Sequence, residues 1–272
     1  MISALLFAGL AMQVGQTPTP QNPSPQNPSP MTEATRTHDR VVQHRVATGR
    51  RKGRVLIVGH PGPTSPVILH FHGDTWLPEQ AIAGVFPDVT IVSLYLGSIS
   101  DIYQDAYKTP EAFQALLTEA GAGRRPVYLS AFSAGYGAVR AILKHSYRRI
   151  DTVLLMDGLH SDYLGKEIDP VGLDVFLQFA RDASLGRKRM LITHSEVYPG
   201  TFPSTTETTD WLLKQLKLKR MPVLRWGPVG MQQLSDARRG RLVVMGFAGN
   251  SAPDHVDHLH GMSTWLRALR RI

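Results

Sequence analysis

Cysteine is absent from the 272 residues of this sequence. Its absence excludes disulfide bonds, thiolate metal sites and a cysteine nucleophile together. It leaves export open, because a domain with a sufficiently large core is stable without disulfides. Hydrophobic residues make up 42% of the chain and charged residues 19%, a balance that excludes a fully disordered or membrane-embedded protein. The length allows one sizeable globular domain.

A continuous basic stripe is also missing, although the chain is basic overall. Lys and Arg together number 30 and Asp and Glu 22, which gives a formal net charge of +8. The basic residues occur in short, separated groups, whereas a nucleic-acid surface needs a continuous stripe with aromatic residues among its charges. The composition therefore predicts a soluble basic surface and no nucleic-acid partner.

Two segments of unusual composition precede the region with a folding pattern. Residues 1–16 contain a short apolar run with the length of a signal-peptide core, too short to span a bilayer and without Lys or Arg before it. Residues 17–34 repeat Pro, Asn, Gln and Ser with no hydrophobic face, which is typical of a disordered linker. We therefore expect an exported protein, periplasmic or secreted, whose folded domain (residues 35–272) has no stable membrane insertion. A frayed apolar tail is the alternative for the leader.

Beyond the linker, nearly continuous apolar segments alternate with amphipathic ones. We place eight strands at 41–47, 55–58, 67–71, 89–95, 126–130, 151–156, 189–193 and 241–246, and helices at 111–120, 134–145, 171–180, 206–217 and 254–270. Apolar strands separated by helices predict an α/β fold with a mostly parallel eight-stranded sheet and helices on both faces. Such sheets bind ligands at the carboxyl ends of their strands, so the residues that directly follow each strand are the ones to inspect.

Ser133 directly follows the fifth predicted strand and precedes a predicted helix. A sharp strand-to-helix turn there lifts one side chain above the sheet, and it needs small residues two positions before and after that side chain. Ala131 and Gly135 occupy those positions, so the pattern is G-x-S-x-G with alanine in place of the first glycine. The helix N-terminus supplies backbone N–H donors for an oxyanion. The alternative is that Ser133 only caps the helix.

With Ser133 after the fifth of eight strands, the chain from the first strand onward resembles the α/β-hydrolase superfamily, and in particular its serine esterases. In that family, the loop after the third strand carries a His-Gly pair whose backbone helps to bind the oxyanion. Here the loop reads H-G-D at positions 72–74. The resemblance thus implies an oxyanion hole formed by the N–H of Ala134 and an N–H near Gly73 and Asp74.

The resemblance also places the catalytic base after the last strand, where three histidines occur. His255 lies at the junction between loop and helix, nearest the sheet, and His258 lies one turn further on the same helical face. An imidazole suits proton transfer near neutral pH, so we place the base at His255 or, second, at His258. The third, His260, points elsewhere.

The carboxylate that orients the base has two candidates. Asp157 ends the sixth predicted strand and is followed by a glycine, whereas Glu196 lies in the loop after the seventh. Both preserve the chain order of nucleophile, acid and histidine that the superfamily requires. The seventh-strand position is commoner in the family, but Asp157 is level with the strand end, and we prefer it for that reason.

These residues predict a serine hydrolase that cleaves a small-molecule carboxylic ester through a Ser-His-Asp/Glu triad and an acyl-enzyme, with no cofactor and no metal. Trp76, Phe132 and Tyr136 are the expected walls of the substrate pocket. Two alternatives remain: a non-catalytic binding protein with this fold, and a metal-dependent hydrolase that uses the histidine clusters. The clusters have no established zinc spacing such as H-E-x-x-H. The sequence leaves the ester and the oligomeric state open.

Overall fold

The computed structural model describes residues 41–48 and 51–272, with side chains from Gly53 onward. The predicted leader and linker lie outside this part of the chain. The strands are β1 (Val41–Thr48), β2 (Arg51–Val58), β3 (Val67–Phe71), β4 (Val89–Leu94), β5 (Val127–Phe132), β6 (Ile150–Met156), β7 (Tyr163–Leu164), β8 (Glu167–Ile168), β9 (Arg189–His194), β10 (Met221–Trp226), β11 (Gln232–Arg239) and β12 (Leu242–Phe247). The helices are α1 (Trp76–Ile82), α2 (Ser100–Ala106), α3 (Pro110–Glu119), α4 (Tyr136–Ser146), α5 (Asp174–Ser184), α6 (Thr205–Gln215), α7 (Ala252–His260) and α8 (Met262–Leu269).

Most of the strands form one large sheet, in the order β1-β2-β4-β3-β5-β6-β9-β12-β11-β10. From β4 to β12 in that order, every neighbouring pair is parallel. On one side of this central group, β1 and β2 follow β4, and on the other side β11 and β10 follow β12. Each of these four strands pairs antiparallel with its neighbours. The predicted α/β fold with a mostly parallel sheet is confirmed, and each predicted strand overlaps a strand of this sheet. The short strands β7 and β8 form a separate hairpin.

The predicted count of eight strands is wrong, because the sheet has ten. β10 and β11 add an antiparallel edge between α6 and β12. β10 is exposed along most of its length and contains Pro222, while β11 is mostly polar. β10 is the last strand of the sheet, and such a strand tolerates proline and exposed residues because one side of its backbone faces solvent. β11 is paired on both sides, but most of its side chains are polar and only partly buried. Neither strand therefore has the continuous apolar pattern by which the others were recognised.

The predicted closing helix, 254–270, is divided into α7 and α8 at Gly261. A Cβ built on Gly261 would lie 2.8 Å from the ring of Trp265 and 2.9 Å from the ring of Pro228. The chain therefore approaches both side chains at a point where only glycine fits without displacing them. The short helices α1 and α2, which the sequence did not predict, follow β3 and β4.

Successive side chains of the buried strands point to opposite faces of the sheet, so that a hydrophobic core forms on each face. Val67, Leu69 and Phe71 of β3 belong to one cluster, and Ile68 between them belongs to the other. Helices α2 to α6 cover the first face, and α1, α7 and α8 cover the second. Because helices cover both faces, the loops at the carboxyl ends of the strands are where a ligand site is expected. Within the described ranges, no helix has the length and apolar character needed to cross a bilayer.

Candidate active site

A strained turn joins β5 to α4. Ser133 follows the last residue of β5 and opens a 3-10 turn, Ser133–Gly135, that continues into the helix. Its φ is 44°, in the left-handed region, which costs a non-glycine residue on the order of 1–3 kcal/mol. Such a conformation persists only where the surrounding packing holds it, and residues of this kind cluster at active sites.

Close packing from the neighbouring strands holds this turn. Gly135 lies against β3, since a Cβ built there would stand 2.1 Å from the carbonyl oxygen of Phe71. Ala131 is buried in β5 between β3 and β6. From the β6 side, a Cβ on Gly158 would lie 3.0 Å from the backbone nitrogen and oxygen of Ser133. Steric crowding thus explains why small residues occur around Ser133. Gly158 is a third small residue that this crowding requires.

Asp157 directly follows β6 and is also strained, with a φ of 43°. The residue is 1% exposed. Its Oδ2 accepts hydrogen bonds from Nδ1 of His255 at 2.6 Å and from the hydroxyl of Ser195 at 2.6 Å. Its Oδ1 accepts the backbone N–H of Ser195 at 2.9 Å and the hydroxyl of Thr205. A buried carboxylate with this many donors is fixed in position, and it fixes the imidazole of His255 in turn.

Opposing effects set the charge of Asp157. Burial would raise its pKa, because burial disfavours the charged form. The hydrogen bond from His255, the electrostatic interactions with the imidazole rings of His258 and His255, and the hydroxyl of Ser195 outweigh burial and hold the pKa of Asp157 well below its ordinary value. The carboxylate is therefore ionised at neutral pH. Because Nδ1 of His255 carries the proton of this hydrogen bond, Nε2 remains as the proton acceptor of the ring.

His255 lies in the first turn of α7. Ser251 caps that helix and forms a capping box with Asp254, which fixes where the helix begins. The imidazole side chain is 24% exposed and packs against Phe132, with ring centroids 4.5 Å apart. The residue that precedes Ser133 therefore supports one side of the His255 ring.

Ser133 and His255 line the same cavity, which has a volume of about 260 Å³. Side chains from the loops after β6 and β9 complete much of its wall, namely His160, Val197, Pro199 and Phe202. Small-molecule sites commonly have volumes of about 300–1,000 Å³, so this cavity suits a small group. A larger depression of about 840 Å³ lies beside α3, the carboxyl end of α4 and the residues just before β6, and contains neither Ser133 nor His255 in its wall.

His258 is placed differently from His255. The residue is fully buried, and its Nδ1 forms a hydrogen bond of 2.7 Å with the hydroxyl of Thr193. Its Nε2 has no hydrogen-bond partner within the part of the chain that the structure describes. Burial lowers the pKa of His258, although the nearby Asp157 opposes this effect. His258 is thus a neutral residue of the interior, and it does not belong to the cavity wall.

Glu196 is placed differently from Asp157. It is exposed, and its carboxylate accepts the backbone N–H of Gly249 at 3.4 Å. Its own backbone N–H donates to the carbonyl of Gly249 at 2.9 Å. Glu196 thus holds the loop after β9 to the loop after β12, while Asp157 holds the His255 ring.

The loop after β3 passes beside the turn of Ser133. Gly73 has a φ of 95°, and a Cβ built there would lie 2.5 Å from a leucine side chain of α7 and 3.7 Å from Phe132. Asp74, the next residue, is exposed, whereas Ala134 within the turn is buried. The backbone of Gly73 therefore reaches the residue that precedes Ser133. The oxyanion role of Ala134, Gly73 and Asp74 stays a prediction.

Trp76, Phe132 and Tyr136 were expected to line the cavity, but they are not among the residues of its wall. Phe132 contacts the ring of His255, and Tyr136 contacts the ring of His160 with centroids 5.2 Å apart. Trp76 opens α1 and packs against the core under that helix. Direct contact of these residues with a substrate stays a prediction.

Sequence reasoning missed Ser195, Thr205 and His160. Ser195 directly follows β9, the same position that singled out Ser133 and Asp157 on their own strands, so a signal was present. Thr205 opens α6 after its capping serine, and its hydroxyl reaches Asp157 only through the tertiary fold. No spacing distinguishes His160.

No group of three or more His, Asp or Glu side chains comes together as a metal site within residues 53–272. His70 forms hydrogen bonds through both ring nitrogens, with the hydroxyl of Ser130 at 2.9 Å and the carbonyl of His72 at 2.7 Å. In α7, His255 binds Asp157 and His258 binds Thr193. The histidine clusters of the sequence are thus divided among different hydrogen bonds.

Comparisons with known proteins add a structural likeness. No family model matches the chain, and no curated protein matches it. The enterobactin esterase of Shigella flexneri is similar with a TM-score of 0.54 at 12% identity, over 85% of this chain and 59% of that one. The ferric enterobactin esterase of Salmonella typhimurium gives a TM-score of 0.50 at 13% identity, over 85% and 58%. A carboxylesterase of Bacillus subtilis gives 0.48 at 8% identity, over 89% and 93%.

The first two similarities extend over most of this chain. The chain has the α/β-hydrolase fold, as the resemblance of its sequence implied. At such low identity the likeness extends to the fold alone. The chain also spans less than two thirds of the length of either enterobactin esterase.

Proposed function

We propose that the protein is a serine hydrolase that cleaves a carboxylic ester, with Ser133 as nucleophile, His255 as base and Asp157 as the acid that orients the base. One observation carries the proposal. A buried, ionised carboxylate holds Nδ1 of a histidine whose ring lines the same cavity as a serine on a strained strand-to-helix turn. This is the constellation that activates a serine hydroxyl on several unrelated folds.

The chemistry follows from the proton positions. Nε2 of His255 takes the proton from Ser133 Oγ as that oxygen forms a bond to the ester carbonyl carbon. The resulting imidazolium, which Asp157 stabilises, then gives the proton to the leaving alcohol oxygen as its bond to carbon breaks. A water molecule repeats the sequence on the acyl-enzyme, releasing the carboxylic acid and restoring Ser133. The step requires no cofactor.

The developing oxyanion needs donors placed where its charge appears. The N–H of Ala134 belongs to the same turn as Ser133, and the loop of Gly73 and Asp74 passes beside Phe132. Removing one such donor from a serine hydrolase costs about 3–4 kcal/mol of transition-state stabilisation. The backbone of these two segments is therefore assigned to the oxyanion hole. The esterases among the structural neighbours share this fold, which supports ester cleavage as the reaction class.

Covalent labelling tests the nucleophile. A fluorophosphonate probe should add to the protein once, and Ser133→Ala should abolish both the adduct and the turnover of p-nitrophenyl acetate. Ser263→Ala, a matched change on α8, should preserve both. A wild-type protein that forms no adduct, with turnover unchanged in the Ser133 variant, would mean that Ser133 is not the nucleophile. A wild-type protein with neither adduct nor turnover above background would support the non-catalytic binding protein. Loss of activity in a chelator would support the metal-dependent alternative.

A further inference from the structure

Ser195 binds both oxygens of the Asp157 carboxylate. Its hydroxyl donates to Oδ2 at 2.6 Å, and its backbone N–H donates to Oδ1 at 2.9 Å. The hydroxyl thus reaches the same oxygen that accepts Nδ1 of His255. Because one residue holds both oxygens, the carboxylate cannot rotate without breaking two charge-assisted hydrogen bonds together. Ser195 takes no part in the proton transfers of the proposed reaction.

The surroundings of Ser195 fix the direction of its hydroxyl. The Oγ accepts the backbone N–H of Val197 at 3.2 Å, which leaves its own proton directed at Asp157. The carbonyl of Ser195 accepts the hydroxyl of Thr206 at 2.6 Å, and the whole residue is buried. A hydroxyl donates one hydrogen bond, so this donor is committed to Asp157 before any substrate arrives.

The hydroxyl of Ser195 also shares the negative charge of Oδ2 with His255. A carboxylate that accepts several hydrogen bonds is a weaker base than one that accepts a single bond. Although burial would raise the pKa of Asp157, the hydrogen bonds from His255 and Ser195 help to hold it well below its ordinary value. An oxygen that is shared in this way stabilises the imidazolium of His255 less than an unshared oxygen would.

We propose that Ser195 is a positioning residue that holds the Asp157 carboxylate against His255 and limits how strongly the carboxylate retains the imidazolium, an inference that rests on the proposed function. Loss of the hydroxyl should leave the carboxylate in place, because the backbone N–H of Ser195 and the hydroxyl of Thr205 still hold Oδ1. The imidazolium would then be retained more strongly, and the enzyme would need a higher pH to work.

The other titratable groups beside this pair keep their charge state near neutral pH. Histidines face the pair from the neighbouring elements, namely His72 after β3, His160 after β6, His194 at the end of β9 and His258 on α7. Burial lowers the pKa of all four, so they are neutral near pH 7. The charged side chains around these histidines are carboxylates and guanidinium groups, which stay ionised there, namely Arg140, Arg220, Asp254 and Asp257. A change in the pH dependence of turnover therefore reports on Asp157 and His255.

Replacement of Ser195 by alanine and by cysteine tests the inference. Ser195→Ala removes the donor, and Ser195→Cys leaves a weak donor in its place. The midpoint of the acidic limb of kcat/KM against pH, measured with p-nitrophenyl acetate, should rise by about 0.5–1 pH unit in Ser195→Ala and by less in Ser195→Cys. On the alkaline plateau, kcat/KM should stay within about threefold of the wild type, because the base is then deprotonated in every variant.

A matched control removes a buried hydroxyl that does not reach the carboxylate. The hydroxyl of Ser161, in the loop after β6, donates to the carbonyl of Asp169 at 2.7 Å. Ser161→Ala should leave the midpoint of the acidic limb as in the wild type, whatever it does to the Tm. A loss of packing alone would lower the Tm of the Ser195 variants without moving this midpoint.

A measurement without turnover separates this inference from the proposed function. The ring protons of His255, assigned by their loss in His255→Asn, can be followed by NMR as the pH changes, and their midpoint should rise in Ser195→Ala. If the fluorophosphonate labels Ser133 but the midpoints stay unchanged or fall in Ser195→Ala, the inference is overturned. An equal rise in Ser161→Ala also overturns it. If Ser133 is not labelled, the proposed function has failed, and a raised NMR midpoint would still show that Ser195 acts on the pair.

Discussion

His255 and His258 lie one turn apart on α7, yet the fold gives them opposite surroundings. Each ring forms a hydrogen bond through Nδ1, with the carboxylate of Asp157 in one case and the hydroxyl of Thr193 in the other. The His255 side chain is 24% exposed at a cavity, whereas His258 is completely buried. A fixed imidazole is therefore not enough for the proposed base. Its second nitrogen must also face a space that a substrate can enter.

The two acids at the strand ends repeat this contrast. Asp157 is buried and gathers donors from three residues, whereas Glu196 is exposed and holds a backbone loop. Both lie just beyond the carboxyl end of a parallel strand, and the two strands are neighbours in the sheet. The difference lies in the donors that each carboxylate meets, and only Asp157 meets a histidine that faces the cavity.

The sharpest test of the comparison changes both histidines in the same way. Asparagine preserves a hydrogen-bonding group near the place of Nδ1 but cannot act as a base. His255→Asn should therefore lower kcat of p-nitrophenyl acetate hydrolysis by about 10⁵-fold or more. His258→Asn should lower it less than about tenfold, because it removes no proton acceptor of the cavity.

Thermal unfolding of the two asparagine variants provides the control, since His258→Asn should lower the Tm more than His255→Asn. The replaced ring of His258 is fully buried and packs against Phe247. If the larger loss of kcat fell on the His258 variant, the assignment of the base would be reversed.

The sequence was sufficient to predict the parallel centre of the sheet and the turn at Ser133, because both depend on local patterns. It did not predict β10 and β11, whose exposed or polar residues lack such a pattern. Apolar strands buried on two faces have a distinctive composition, and the small residues around Ser133 follow from the sterics of one turn. The choice between His255 and His258 could not be made in this way. Both lie on one face of α7, and only the packing of Phe247 and Trp265 around the second turn buries one of them.

The next test compares the two acids. Asp157→Asn keeps the shape of the side chain but removes its charge and favours the wrong tautomer of His255. We expect kcat to fall by about 10⁴-fold, as in other triads. Glu196→Gln is the matched change in the other loop, and it should alter kcat less than about twofold because Glu196 touches no histidine among its described hydrogen bonds.

Fluorophosphonate labelling rates should follow the same order as kcat in the two acid variants, since both report the reactivity of Ser133. Equal effects of the two substitutions would mean that neither acid orients the base through a specific hydrogen bond. A larger effect at Glu196 would assign the orienting role to the loop after β9.

The smallest expected effect is on the pH dependence of stability. It concerns two other histidines that, like His258, lie in the interior. Burial lowers the pKa of His70 and of His194 to about 3, with the charge of Arg220 adding to the effect at His194. Both residues are almost fully buried. Below about pH 6.5 the unfolded chain binds protons at these positions that the folded chain does not. Their stabilising contribution is therefore complete above pH 6.5 and is lost as the pH falls towards 3.

Urea unfolding between pH 7 and pH 5 measures this loss. It should be small near pH 7 and approach about 1.4 kcal/mol per pH unit for each such histidine as the pH falls below 6. His70→Gln should reduce the slope of the unfolding free energy against pH by the contribution of one histidine. This holds even if the variant is less stable at every pH because the contact with Ser130 is disturbed. His60→Gln makes the same change at an exposed position and should leave the slope as in the wild type. An unchanged slope in the His70 variant would mean that the buried imidazole takes up its proton without unfolding, and that the interior tolerates a charge as readily as the cavity does.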